Sequence, residues 1–143
     1  MDYVVDASVV TKWFVEEDYS QNARDLLKSF GRGSVDLYAP SLLLHEVGNA
    51  LWRIVNRLKL LKATYVIDAY SNFLKVPIHY ADLTKQDASD SLKLSLELGL
   101  TFYDVVYLNL SKKLAKMLVT ADDEILRKIK GDFRVAHLRE IAR

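Results

Sequence analysis

The 143-residue sequence contains no cysteine, only two prolines and only five glycines. The absence of cysteine excludes disulfide bonds, thiolate metal sites and cysteine nucleophiles. Apolar runs of about 18 residues or more are also missing, so we expect no transmembrane helix. The first residues include Asp2 and Asp6 but no basic segment followed by a cleavage site, so we expect no secretory signal peptide. These absences together predict an intracellular, cytoplasmic protein without membrane contact.

The residues that are present have the composition of an ordinary globular domain. Half of them are apolar and 27% are charged, and the net charge of +1 neither requires nor excludes a nucleic-acid partner. No linker, repeat or low-complexity segment divides the chain, so we predict a single domain over residues 1–143. The glycine-rich fingerprints of dinucleotide and P-loop nucleotide sites are absent, and the three histidines lack zinc-site spacing.

Short apolar runs alternate with longer segments of helical periodicity. The runs predict strands at 3–5, 37–39, 76–79, 117–119 and 133–136. The periodic segments predict helices at 8–16, 20–29, 41–60, 63–74, 85–98, 102–114 and 123–129. Strands that alternate with helices are typical of an α/β fold, in which helices cover both faces of a parallel sheet.

Four acidic residues lie where this topology would bring them together. Asp6 and Asp122 directly follow predicted strands, and the carboxyl ends of parallel strands form the edge where ligands of open α/β folds bind. Glu46, in the helix after the second strand, and Asp104, near the start of a later helix, can face the same edge. Crowded carboxylates repel one another, so such a cluster indicates a bound cation. Each acid also has an ordinary explanation as a helix cap, a capping-box member or a partner of the helix dipole.

Polar and basic residues accompany these acids. The hydroxyls of Ser8 and Thr120 are expected to hold an acid or a phosphate, or to cap helices. Asn49, one helical turn beyond the acid of the long helix, is expected to hydrogen-bond either within the site or to the backbone. Arg53 and Arg57 lie on the same stripe of that helix, where they would guide a phosphate backbone or simply form a solvated face.

Four segments, VVDAS, HEVGNAL, TFYDVVYLNL and LVTADDEIL, resemble the motifs of PIN-domain ribonucleases. The similarity is greatest to the VapC toxins of prokaryotic toxin–antitoxin pairs, and it extends from the first strand to the last helix. It implies a three-layer α/β/α sandwich with a central parallel sheet. It also implies an endoribonuclease that depends on Mg²⁺ or Mn²⁺ and hydrolyses RNA phosphodiester bonds.

The resemblance assigns roles to the acids. Asp6, Asp104 and Asp122 correspond to metal ligands, and Glu46 would bind a second ion or orient the attacking water. Asp123 would lie behind these ligands or start the last helix. Because all four acidic positions are filled, an enzyme is favoured over the alternative, a catalytically silent PIN-like module that binds RNA or a partner protein.

The resemblance further implies a small antitoxin partner and a homodimer. The long helix supports the dimer physically, because it carries more apolar surface than one buried stripe requires, including Leu44, Leu51, Trp52 and Val55. Exposed tryptophan is typical of interfaces. Burial of the same residues under the following helix is the competing explanation.

Overall fold

The computed structural model describes residues 1–141 and contains a parallel five-stranded sheet. Its strands are β1 (Asp2–Val5), β2 (Asp36–Pro40), β3 (His79–Ala81), β4 (Met117–Thr120) and β5 (Val135–His137). They lie in the order β3-β2-β1-β4-β5. The chain thus moves outward from β1 through β2 to β3, then crosses back to place β4 on the other side of β1. This reversal creates a topological switch point between β1 and β4.

Seven α-helices are present within the described residues. They are α1 (Ala7–Val10), α2 (Ser20–Gly31), α3 (Leu42–Asn56), α4 (Ala63–Leu74), α5 (Lys85–Leu98), α6 (Phe102–Leu114) and α7 (Asp123–Lys128). Two short 3₁₀ helices follow α1 and β5, at Thr11–Trp13 and Leu138–Glu140. Helix α6 packs across β1, β2 and β4 with α5 alongside it, whereas α3 packs with α1, α4 and β2. Crossovers between parallel strands are right-handed as a rule, which puts these two groups of helices on opposite faces of the sheet. The parallel sheet with its covering helices confirms the predicted α/β sandwich.

The core lies on both faces of the two central strands. Val4 and Val5 of β1 and Leu118 and Val119 of β4 are fully buried. A strand that is covered on both faces reads as a continuous apolar run, which is why these two strands were predictable.

Within residues 1–141, no helix has the length and apolarity needed to cross a membrane.

Two predicted helices are shorter in the structure. The helix predicted at 8–16 ends at Val10 and continues as a 3₁₀ turn, where the Thr11 hydroxyl donates to the Ala7 carbonyl over 2.6 Å. A hydroxyl that bonds back to the preceding turn disturbs a helix, and β-branched neighbours disfavour it further. The helix predicted at 41–60 ends at Asn56, and the chain then turns through Lys59, whose φ of 54° is left-handed.

Two predicted strands are shifted towards the C-terminus. The edge strand predicted at 76–79 pairs instead as His79–Ala81, with Tyr38 opposite His79. Pro77 has no backbone N–H for the ladder, so pairing begins after it. The last strand, predicted at 133–136, is Val135–His137. The remaining elements match their predicted bounds to within two residues.

Of the apolar side chains that α3 carries beyond its buried stripe, some are buried and others are exposed. Leu51 is buried, as predicted by the explanation that α4 covers this face. Trp52 is 50% exposed and borders a shallow apolar groove with Val66, Ile67 and Tyr70 of α4. The tryptophan therefore lies beside α4 rather than beneath it.

Candidate active site

The switch point places the first acid beside the end of β4. Strands β1 and β4 pair in parallel with Val5 opposite Val119, so Asp6 leaves its strand next to Thr120. The Asp6 side chain is almost wholly buried, and Thr120 Oγ1 donates to its Oδ2 over 2.5 Å. Its Oδ1 accepts from Ser8 Oγ at 2.5 Å and from the Val9 N–H at 3.3 Å. Asp6 therefore caps α1, and hydroxyls hold both of its oxygens.

The two hydroxyls that hold Asp6 are themselves fixed by the chain that leaves β4. Ser8 Oγ accepts the backbone N–H of Ala121 at 2.9 Å, and Thr120 Oγ1 accepts the backbone N–H of Asp122 at 3.1 Å. Since each hydroxyl receives a backbone hydrogen bond, its own proton is free to point at the carboxylate. This arrangement sets the orientation of Asp6 before any ligand binds.

Burial raises the pKa of Asp6 from 3.8 to about 6. The hydrogen bonds from Ser8, Thr120 and the Val9 N–H oppose this rise, and the negative charge of Asp104 adds to it. At neutral pH the carboxylate is thus ionised in surroundings that solvate it poorly. A cation bound beside it would lower its pKa.

The second acid is held from the opposite face of the sheet. Glu46 lies in α3, and the buried Tyr107 of α6 donates its hydroxyl to Glu46 Oε1 over 2.7 Å. Burial raises the pKa of Glu46, Asp104 raises it further, and the Tyr107 hydrogen bond opposes both. The contact joins α3 to α6 across the carboxyl edge of the sheet and leaves Oε2 of Glu46 available.

Asp104 is the electrostatic centre of the cluster. It lies one helical turn before the tyrosine of α6, and burial is the main cause of its raised pKa. The charges of Asp122 and Glu124 raise this pKa further, while the Thr101 hydroxyl lowers it. Asp104 also raises the pKa values of Asp6 and Glu46, so its charge acts on two other acids of the predicted set.

The two adjacent acids after β4 face different surroundings. Asp122 Oδ1 accepts the backbone N–H of Glu124 at 2.9 Å and so caps α7. Asp123 is the first residue of α7, and its exposed carboxylate lies 3.4 Å from Arg139 Nη2 and 3.9 Å from His137 Nε2. Asp123 therefore marks the helix start and pairs with the C-terminal segment.

The donor set is chemically suited to a hard divalent cation. Mg²⁺ and Mn²⁺ prefer oxygen ligands, and the acids here provide only oxygens. Among residues 1–141, however, no three acidic or histidine side chains lie close enough together to hold one ion. The acids are near enough to perturb one another's pKa values, so the chemistry fits a metal, although the side chains have not converged on one point.

A cleft of about 640 Å³ opens beside Glu46, which lines it together with Ser8, the hydroxyl partner of Asp6. Asn49 and Arg53 line it, as does the exposed Tyr103. Arg57 is placed elsewhere, over the ring of Trp52 at 5.7 Å. Of the two arginines predicted to guide RNA, one therefore lies on this cleft and the other on the outer face of α3.

Sequence reasoning missed the contacts of four residues around the acids. Lys12 and Glu17 line the cleft and are paired, Tyr107 bonds to the acid of α3, and Glu124 acts on Asp104. The tyrosine follows Asp104 by three residues, a spacing that puts both side chains on one face of the helix and is the sequence signal for this contact. Lys12 lies in the 3₁₀ helix and Glu17 in the loop after it, five residues further on, so no helical periodicity relates them.

Comparison with known proteins places the chain in a family. A PIN domain matches residues 3–131. The chain is 30% identical over 132 residues to Ribonuclease VapC3 of Pyrobaculum aerophilum. The alignment covers 90% of this chain and 95% of that protein. It is 29% identical over 138 residues to Exonuclease VapC9 of the same organism. This alignment covers 96% of this chain and 93% of that protein.

A solved structure shows the same fold. A toxin–antitoxin complex from Klebsiella pneumoniae contains a chain that superposes with a TM-score of 0.63 at 16% identity, covering 97% of this chain and 99% of that one. The resemblance carried by the four sequence motifs is thereby confirmed. The chain belongs to the PIN domain family.

Proposed function

We propose that this protein is a metal-dependent endoribonuclease, the toxin of a toxin–antitoxin pair. The observation that carries the proposal is the buried Asp6 at the switch point, with a pKa raised to about 6 and with Asp104 acting on it. A buried, electrostatically stressed carboxylate beside a cleft is typical of a functional site. The relatives named ribonuclease and exonuclease support nucleic-acid hydrolysis.

The chain's own residues suggest how the chemistry would proceed. Asp6, Asp104 and Asp122 would hold Mg²⁺ or Mn²⁺, which when bound polarises phosphoryl oxygens and lowers the pKa of water. Glu46 Oε2, fixed through the bond of Tyr107 to Oε1, accepts a proton from the attacking water. The water oxygen bonds to phosphorus, and one phosphorus–oxygen ester bond breaks. The ester oxygen that leaves takes a proton from solvent.

Cleavage of single-stranded RNA tests this proposal. The purified protein should cut RNA with Mg²⁺ or Mn²⁺ and stop when EDTA is added. Asp6→Asn should lose most of the activity, whereas Asp68→Asn, the same change at an exposed position on α4, should keep it. Equal cleavage by wild type and Asp6→Asn would overturn the assignment.

The same assay separates the alternatives. Circular RNA has no ends, so its cleavage requires an endonuclease, and cutting of linear RNA alone would indicate an exonuclease. The catalytically silent alternative gains some support from the unconverged acids. It predicts that wild type and Asp6→Asn bind RNA and that neither cuts it under any metal.

We also propose a homodimer and a small antitoxin partner. The exposed apolar side chains of α3, α4 and the loop between them support an interface; they are Trp52, Leu58, Leu60, Tyr65 and Ile67. The antitoxin is supported by the fold shared with a chain of a toxin–antitoxin complex. An acidic cleft attracts cations, so an antitoxin arginine or lysine inserted beside Asp6 would displace metal or substrate.

Two measurements test these partners. Sedimentation of the pure protein at tens of micromolar should give a dimer, and a clean monomer would reject that claim. Co-expression with an adjacent small gene should give a complex without nuclease activity. Products that fail to co-purify, with cleavage unchanged, would reject the antitoxin.

A further inference from the structure

A buried lysine lies in the wall of the cleft beside Glu46. Lys12 is only 9% exposed, although lysine is rarely buried unless it is paired. Its Nζ donates to Glu17 Oε1 over 3.1 Å, and both side chains line the cleft together with Ser8 and Glu46. The proposed hydrolysis gives this cation no role.

The backbone on both sides of Lys12 is fixed. The Thr11 hydroxyl bonds to the Ala7 carbonyl, and Trp13 Nε1 donates to the Ala23 carbonyl of α2 over 3.0 Å. These two bonds hold the 3₁₀ turn that directs the lysine into the cleft. The ammonium therefore has a defined position and little freedom to move into solvent.

Its partner is held less tightly at the side chain. The Glu17 backbone N–H donates to the hydroxyl of the buried Ser20 at 2.9 Å, which fixes the turn. The Glu17 carboxylate itself is 45% exposed. An ion pair with one half-exposed partner is weak, so another anion can replace this carboxylate.

RNA entering this cleft brings negative phosphates towards an acidic cluster. A lysine ammonium is a point charge with three donors and binds phosphate oxygens well. Arg53 also lines the cleft, but it is exposed and lies at the rim, whereas Lys12 lies in the wall. The lysine is thus placed to offset the charge of a phosphate close to the acids.

We infer that Lys12 binds a phosphodiester oxygen of the RNA substrate. In the free protein the Lys12 ammonium is paired with Glu17, and RNA displaces the Glu17 carboxylate when it binds. This inference rests on the proposed ribonuclease function and adds a substrate-binding residue to it. The two halves of one ion pair then have opposite effects: Lys12 favours RNA binding, and Glu17 competes with RNA.

The test measures RNA affinity in the Asp6→Asn background, in which most of the cleavage activity is expected to be lost. Fluorescence anisotropy with a labelled single-stranded RNA gives Kd at several salt concentrations. Lys12→Met should weaken binding about tenfold, the value of one charge-assisted hydrogen bond. It should also reduce the slope of log affinity against log salt by about 0.7, as expected for one lost phosphate contact. Glu17→Gln should strengthen binding severalfold.

Matched controls change the same charges outside the cleft. Lys113→Met removes a lysine from the exposed ion pair with Asp87, and Glu16→Gln removes a carboxylate that pairs with Arg24. Both controls should change affinity less than the cleft variants. Lys12→Arg, which keeps the charge, should retain most of the salt slope.

The outcomes separate this inference from the function on which it rests. If Lys12→Met and Glu17→Gln both weaken binding, or neither differs from its control, the ion pair is structural and the inference is overturned, even where wild type still cuts RNA. If the two variants have opposite effects but wild type cuts no RNA with any metal, Lys12 is an RNA ligand and the nuclease proposal fails.

Discussion

Replacing Asp6 by asparagine should stabilise the protein in the absence of divalent metal. The folded state holds an ionised carboxylate whose pKa is about 6 instead of 3.8. This difference corresponds to about 3 kcal/mol of unfolding free energy lost at pH 7. Asparagine fills the same space without charge, and the hydroxyls of Ser8 and Thr120 can rotate to match its amide. We expect a gain of about 1–3 kcal/mol, the lower value allowing for poorer hydrogen bonds.

The pH dependence of this gain has a definite sign. Below about pH 4 Asp6 is protonated in both folded and unfolded chains, so it has no effect on stability. Between about pH 4 and 6 only the folded state keeps the proton, and wild-type stability falls as the pH rises. Above about pH 6 the full loss is present, so the advantage of Asp6→Asn should be small at pH 4 and largest at pH 7 and above.

Urea denaturation in EDTA at pH 4, 5, 6 and 7.5 measures this difference directly. Glu46 and Asp104, whose pKa values are also raised, contribute to both proteins and largely cancel in the comparison. Asp68→Asn controls for the loss of a surface charge. If Asp6→Asn is no more stable than wild type at pH 7.5, or if its gain in unfolding free energy is equally large at pH 4, the reasoning is refuted. The buried charge of Asp6 would then not be what destabilises the wild-type protein.

Three further predictions concern the metal, the tyrosine and the core. Millimolar Mg²⁺ should raise the wild-type Tm and have little effect on Asp6→Asn, as differential scanning fluorimetry would show; equal shifts would place the ion elsewhere. Tyr107→Phe should lower the cleavage rate about tenfold or more, because Glu46 loses a hydrogen bond to a charged group, while circular dichroism stays unchanged. Leu43→Ala, in the core, should cost about 2–5 kcal/mol in urea denaturation, whereas Leu92→Ala, at a largely exposed position, should change stability by about 0.5 kcal/mol or less.

The sequence was sufficient to predict the sheet because the central strands are apolar on both faces. Val4, Val5, Leu118 and Val119 form short runs that only a doubly covered parallel strand explains well. The edge strand β3 lacks this signal, since His79 and Tyr80 are exposed and Pro77 precedes them. Its register is determined by pairing with β2, which is tertiary information.

Three of the acids, Asp6, Asp104 and Asp122, follow a strand or lie at the start of a helix, so local pattern could indicate their place near one edge of the sheet; their role as metal ligands stays a prediction. The contacts that hold the acids were less predictable. Tyr107 and Glu46 are separated by 61 residues, and their hydrogen bond depends on how α3 and α6 pack. Lys12 lies in a 3₁₀ turn where a continuous α-helix was predicted, a change that periodicity does not report. Local pattern thus located the carboxylates, and packing decided their partners.

The hydrogen bond from Thr120 to Asp6 spans 114 residues of chain. During synthesis the first strand therefore emerges long before the strand that completes its site. A nascent chain that lacks β4 has neither this hydroxyl nor Asp122, so the proposed active site is incomplete in it. Under the proposed function, cleavage activity therefore begins only after β4 has been synthesised, and products truncated before β4 should be inactive.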